Sequence, residues 1–269
     1  MTNLICNILS YKYGLILLFI CGLVSSKAQN NNGDDFQGFY LYYAETENQE
    51  SLRILDVVLA DEELLLTMID DLNSFLEMPI SVPIIFGDCG EENAFFDREK
   101  NQIVMCNEFS LLMERIFAAQ GITGEDLEIA VTDATFSIML HEIGHSLVHI
   151  LDLPITGSEE DAVDQFSVVG LLNFEDLGQD AMLHFASFWG GLSQLNETDV
   201  QNLPFWGVHS LSSQRFYNIL CLAYASDAGN LGFLVENGTL PEGRAGNCAS
   251  ELDRAVHAWS SLLEPYSRE

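Results

Sequence analysis

Residues 129–154 read IAVTDATFSIMLHEIGHSLVHILDLP, and the placing of polar groups in this stretch decides the fold. Ile129, Ala130, Phe136, Ile138, Met139, Leu140, Ile143, Leu147, Val148, Ile150 and Leu151 leave almost no polar face. A helix apolar nearly all round is a buried one. Pro154 ends it, with Asp152 and Leu153 as the exit. Inside it, His141 and His145 stand four residues apart, one turn along the same face. Burying two imidazoles and the Glu142 carboxylate there is costly without partners. A metal removes that cost, because two neutral ring nitrogens aimed at one point suit Zn²⁺. Glu142 follows the first ligand directly and reaches a metal-bound water as general base without ligating the metal. The spacing arises by accident in about 1% of chains of this composition, so the flanking residues carry the argument.

Past the turn at Pro154 and Gly157 the chain reads Ser158-Glu159-Glu160-Asp161-Ala162-Val163-Asp164-Gln165. Ser158, with an acid three residues later, marks a helix start. That helix continues through Phe166, Val168, Val169, Leu171 and Leu172. After so short a turn it folds back on the first helix and presents Glu160 as the third, anionic ligand; Glu159 and Asp161 are the fallbacks. Asp164, one turn on, is placed to accept the second ring N–H of a ligating His and fix its tautomer. Without a metal, the same acids would be a solvated helix start that complements the macrodipole.

HExxH followed by Glu160-x-x-x-Asp164 resembles the gluzincin pattern of the thermolysin-like metallopeptidases. The metzincin pattern is excluded, since it places Gly at 148 and His at 151, where this chain has Val148 and Leu151. His149 reads as a core or surface histidine. Asn93-Ala94-Phe95-Phe96 resembles the edge-strand segment with which thermolysin-like enzymes hold the substrate backbone, which implies substrate binding at Asn93 and Ala94. Gly207-Val208-His209, expected to open a helix, resembles the segment whose His stabilises the oxyanion, which implies a catalytic His209. The chain departs from thermolysin in its shorter gap from His145 to Glu160, in Pro204 where an Asp would support that His, and in lacking Tyr between 146 and 159. As a whole it is more similar to a bacterial family of unknown function described as metallopeptidases. That likeness is carried by Phe86 to Gly90, Asn93 to Phe95, His141 to His145, Leu153-Pro154, Glu159 to Gln165, His209 and Gln214 to Tyr217, and covers most of 36–265. It implies a zincin-type peptidase and brings no substrate with it.

The ends and the composition set bounds. Lys12, the apolar run Leu15 to Val24 and Ser26-Lys27-Ala28 read as a signal peptide over 1–28, cleaved near Ala28. The run is short for a membrane span, and Ile20 before Cys21 argues against a lipid anchor. Residues 29–37, rich in Asn, Asp and Gly, read as a disordered leader. The mature chain is thus expected to be secreted or periplasmic, without stable membrane insertion. Cys89, Cys106, Cys221 and Cys248 remain, an even set that suggests two disulfides, with sequential pairing favoured over the other connectivities. A cysteine zinc site is the competing reading, but no CxxC spacing supports it. The net charge is −31, from 10 Lys+Arg against 41 Asp+Glu. Cleavage would make it −33, since the signal peptide holds two lysines and no acid. Such a charge argues against nucleic acid or anionic membrane surfaces as partners. No EF-hand loop is present.

The remaining chain, about 240 residues, suffices for one domain over 38–265, divided into a sheet plus active-site helix (38–152) and a helical part (153–265). Strands are expected at 39–43 and 80–86, with a hairpin from 94–96 and 102–105 around Asp97 to Asn101. Helical periodicity covers 48–77, broken near Asp61, and 108–119; further helices are expected at 176–192, 209–226 and 248–264. Strands first and helices later make an α+β chain. The resemblance sharpens this to a zincin-like fold, a small mixed sheet with its hairpin packed on the HExxH helix. Arg215 reads as a structural salt-bridge partner; His184 and His257 carry no functional reading. The expectation is an exported zinc peptidase with one Zn²⁺ per chain on His141, His145 and Glu160, water as the fourth ligand, Glu142 as base, and a peptide or protein substrate. The alternatives are a catalytically idle zinc-binding module on the same fold and an acidic structural domain whose HExxH is fortuitous. Oligomeric state, Ca²⁺ dependence and cleavage preference are unread.

Overall fold

A computed structural model describes residues 36–174, 178–197, 199, 201 and 203–268. The expected signal peptide and most of the leader lie outside these residues. The leader's last two residues are held in place: Gln37 donates to the Pro79 carbonyl at 3.0 Å, and Ser81 Oγ bonds the Phe36 carbonyl.

The chain is α+β, with a four-stranded mixed sheet first and a mostly helical part after it. Strand β1 (Gly38–Tyr43) runs parallel to β2 (Ser81–Gly87) through a crossover of two helices, α1 (Gln49–Val58) and α2 (Glu62–Phe75). Asp61, where the hydrophobic period breaks, caps α2 by accepting the Leu64 N–H at 3.1 Å. Strand β4 (Gln102–Cys106) lies parallel to β2, and β3 (Ala94–Asp97) pairs antiparallel with β4, giving the order β1-β2-β4-β3. The β3–β4 turn is built by Asp97, whose carboxylate accepts the N–H groups of Glu99 and Lys100, and by Asn101 in the left-handed region at φ 51°. The two sheet edges differ. Asn73 of α2 covers the β1 edge, bonding the N–H and C=O of Phe39 at 2.7 and 2.8 Å. At the other end β3 is paired on one side only.

Helix α3 (Asn107–Ala119) leads to α4 (Glu125–Ile150), which carries the histidines. From Ala130 to Leu147 nearly every α4 side chain is buried, as its lack of a polar face predicted. It lies between α3, α5 (Glu159–Leu171), α6 (Gly178–Asn196) and the β3 hairpin. Helix α7 (Ser212–Ser226), the short α8 (Phe233–Glu236) and α9 (Glu242–Leu263) complete the helical layer. Trp259 of α9 donates to the Ala162 carbonyl of α5 at 3.0 Å. Tyr266, beyond the expected domain end, donates to the Leu151 carbonyl at the exit of α4 at 2.9 Å. The chain stays anchored to Arg268, whose N–H bonds the Phe75 carbonyl. The cysteines pair sequentially, Cys89 with Cys106 and Cys221 with Cys248. No described helix is long and apolar enough to cross a membrane.

Three helix boundaries differ from the sequence expectation; one is the end of α6, at Asn196 rather than near 192. Helix α7 begins at Ser212, so Gly207-Val208-His209 lies in the loop before it. The Gly207 N–H bonds the Pro204 carbonyl at 2.9 Å within this loop. Helix α9 starts at Glu242, six residues before Cys248, directly behind Pro241, whose fixed φ suits a helix start.

Candidate metal centre

The two-helix arrangement rests on a glycine. A Cβ at Gly144 would lie 2.9 Å from the Val163 side chain, closer than packed atoms approach. The bare Cα between His141 and His145 lets α5 press against α4. Ser158 caps α5 by accepting the Asp161 N–H, fixing where its first turn begins. That first turn then delivers its carboxylates to the imidazoles.

The structure brings His141, His145 and Glu160 together, with one ligand atom from each lying within 4.8 Å of the others. The two Nε2 atoms are 3.2 Å apart. Glu160 places Oε2 3.4 Å from His141 Nε2 and Oε1 3.5 Å from His145 Nε2. Behind the rings, His141 Nδ1 lies 2.8 Å from Asp164 Oδ1, and His145 Nδ1 lies 2.7 Å from Glu159 Oε1. A carboxylate only accepts, so each Nδ1 carries the proton and, in the neutral rings, each Nε2 turns a lone pair inward. Two lone pairs and a carboxylate facing one another repel unless a cation sits among them. Glu160 Oε2 is buried and has no hydrogen-bond partner among the described residues, an orphan atom that a metal would satisfy. The donor set, two imidazoles and one carboxylate, suits a divalent transition metal such as zinc.

The electrostatics agree. Burial alone would pull the His141 imidazolium down, but the Asp164 carboxylate bonded to it and the Glu160 carboxylate facing it outweigh this and raise it to about 9. His145 is raised likewise against its burial, by Glu160 foremost. Burial would push Glu160 up, yet the two histidines hold it well below the usual carboxylate range. The three groups collect positive charge, as protons or as a metal ion.

Behind the centre, Asp164 is buried and takes both Nε and Nη2 of Arg215. Burial would raise Asp164, but Arg215 and His141 together more than reverse that. The guanidinium stacks 3.5 Å from the centre of the Trp189 ring. Arg98 in turn bonds the Glu159 carboxylate at 3.0 Å. Glu159, a fallback ligand from sequence, thus backs His145, while Asp161 is bonded by Ser210 Oγ at 2.7 Å.

Glu142 is buried at the floor of a cavity of about 540 Å³. Burial raises its carboxyl, with the neighbouring histidines opposing. The same cavity is lined by Asn93 and Ala94 from the edge-strand side and by His209 from the loop before α7. His209 is mostly exposed, with Nε2 3.3 Å from Glu160 Oε1. His149 packs against Phe96, ring centres 5.7 Å apart, and His184 bonds Asp133 at 2.7 Å. Sequence reasoning gave no role to Trp189, Glu197 or Gly144. Gly144 alone carried a signal, as a glycine inside an otherwise strongly apolar helix.

A family model described as "Putative metallopeptidase" matches residues 43–263. No curated protein and no solved structure matches the chain.

Proposed function

The chain belongs to this metallopeptidase family, and on that premise we propose that it is an exported, gluzincin-like zinc peptidase with its metal on His141, His145 and Glu160. The observation that carries the reading is the orphan Glu160 oxygen facing two ring nitrogens whose far sides are both tied to carboxylates. Bound there, zinc supplies Lewis acidity, which generates a nucleophile from water at neutral pH and polarises a carbonyl.

The protein groups do the rest. Glu142, at the cavity floor beside the histidines, takes the proton of the attacking water and delivers it to the leaving amine. His209 donates a hydrogen bond to the oxyanion from the cavity wall. Asn93 and Ala94 hold an extended substrate along β3, whose outer side is free to add a strand. Asp164 and Glu159 orient the two imidazoles. Export is supported by the N-terminal sequence and by the two disulfides.

A peptide library incubated with the zinc-loaded chain tests this. Cleavage that stops with a chelator and returns with zinc supports it. A chain that binds zinc and cleaves nothing is the idle zinc-binding module instead.

A further inference from the structure

The four most exposed large apolar side chains among the described residues are Leu195, Phe205, Trp206 and Val208, at 61, 68, 82 and 77%. They are not scattered. Each neighbours a residue that lines the catalytic cavity: Asn196 and Glu197 follow Leu195, and Pro204, Gly207 and His209 interleave with the other three. Buried Leu203 anchors the loop, and the bonds Phe205 N–H to Leu203 and Gly207 N–H to Pro204, both 2.9 Å, hold its turn. The four apolar groups therefore sit, along the chain, directly beside residues that line the cavity. A cluster of this kind at a cleft marks a binding surface.

Charge says what fits it. Glu142 and Glu197 line the cavity, and its one arginine, Arg215, is paired with Asp164 through Nε and Nη2. The whole chain carries −31. An anionic lipid surface or an acidic peptide is repelled, and a basic one attracted.

We propose that Leu195, Phe205, Trp206 and Val208 are the substrate-gripping rim of the cleft, selecting extended peptides that combine bulky apolar with basic residues. The proposal rests on the peptidase reading for its substrate type. The rim covers the peptide's apolar side chains while β3 holds its backbone, and the acidic cavity wall favours its cationic groups.

Trp206 provides its own reporter. Of the chain's three tryptophans, Trp259 is buried and Trp189 lines the cavity, so an emission shift is assigned to Trp206 by its loss in Trp206→Phe. The full mature chain, zinc-loaded and carrying Glu142→Gln, is titrated with three synthetic peptides of equal length: Phe/Lys-rich, Phe/Glu-rich and Ser/Lys-rich. The expected result is a blue shift of Trp206 emission and at least about tenfold tighter binding of the Phe/Lys peptide than of either control. Phe205→Ser with Val208→Ser should weaken that binding about tenfold with zinc content unchanged. Equal affinity for all three peptides, or no effect of the double variant, overturns the proposal. So does an emission shift produced by phosphatidylcholine vesicles but by none of the peptides. A parallel hydrolysis assay on the Glu142 chain separates the two readings: selective binding without cleavage leaves the rim standing and removes the peptidase. Cleavage without selectivity does the reverse.

Discussion

Asp164 joins His141 to Arg215: one carboxylate, buried on α5, takes the Nδ1 proton of His141 at 2.8 Å and the guanidinium of Arg215 from α7. The metal-facing nitrogen of His141 is thus set by a contact on its far side. Asp164→Asn keeps the shape but weakens the acceptor, so zinc affinity should fall about 10- to 100-fold. Competition with a chromogenic chelator measures it. Unchanged affinity would mean Asp164 serves packing alone.

Arg215→Met removes the cation and leaves Asp164 buried beside His141 only. Because His141 still bonds Asp164, the loss should stay below the about 3–5 kcal/mol that a wholly unpaired buried charge costs. Urea unfolding of the chelated protein reads this directly, and a loss below about 1 kcal/mol would show that solvent reaches Asp164.

Gly144→Ala sets two effects against each other. The helix gains about 1 kcal/mol from losing a glycine. The added methyl, 2.9 Å from Val163, forces α4 and α5 apart at a cost of about 1–3 kcal/mol. Because Glu160 and Asp164 ride on α5, zinc affinity should drop along with the melting temperature. Val163→Ala would keep the Cβ that also lies 2.9 Å away, so Val163→Gly in the same chain is the substitution that should recover zinc affinity. Failure of the second substitution to rescue zinc binding would place the cause elsewhere.

Much of this centre was legible in sequence. The four-residue spacing of His141 and His145, the Ser158 cap and the proline at 154 mark two helices joined by a tight turn. What the sequence left open was rotation. Glu159 and Glu160 are adjacent, about 100° apart around α5, and no local pattern decides which one faces the Nε2 atoms. Glu160 does, and Glu159 turns to the back of His145. The pairing of Arg215 with Asp164 spans 51 residues, beyond any local pattern. Helix α7 starts at Ser212, later than the Gly-Val-His likeness implies, and that segment lies instead in the loop before it. The strands and the hairpin were legible because alternation and turn residues are local.

Stability of the metal-free protein should depend on pH in a stated direction. His141 is raised to about 9 from 6.5, so its contribution is complete below about 6.5 and is lost as pH rises through about 9. His145 shifts the same way. Glu160 and Asp164 are lowered, so their contribution holds above their ordinary values near 4 and is lost as pH falls below them. The chelated protein should therefore melt at its highest temperature between about pH 5 and 6.5 and lose stability toward pH 9. Zinc, which needs the neutral imidazoles, should stabilise most at the alkaline end. A flat melting curve for the chelated protein from pH 6.5 to 9 would contradict the coupling.

The Cys89–Cys106 bridge ties the loop leading into Asn93 to the start of α3. Replacing both cysteines with serine should cost about 3 kcal/mol, measured by denaturant unfolding. If Asn93 and Ala94 position substrate, KM should rise more than kcat falls. An unchanged KM would confine the bridge to stability.

The central claim is that His141, His145 and Glu160 hold one zinc ion and that Glu142 stands beside it without ligating. Elemental analysis of the mature chain, dialysed against limiting zinc, tests this most directly alongside Glu142→Gln, Glu159→Ala and Glu160→Ala. The account expects about one zinc per chain in the unmodified protein and in Glu142→Gln, a weakened but measurable content in Glu159→Ala, and almost none in Glu160→Ala. Full zinc content in Glu160→Ala, or no zinc in the unmodified chain, would contradict it.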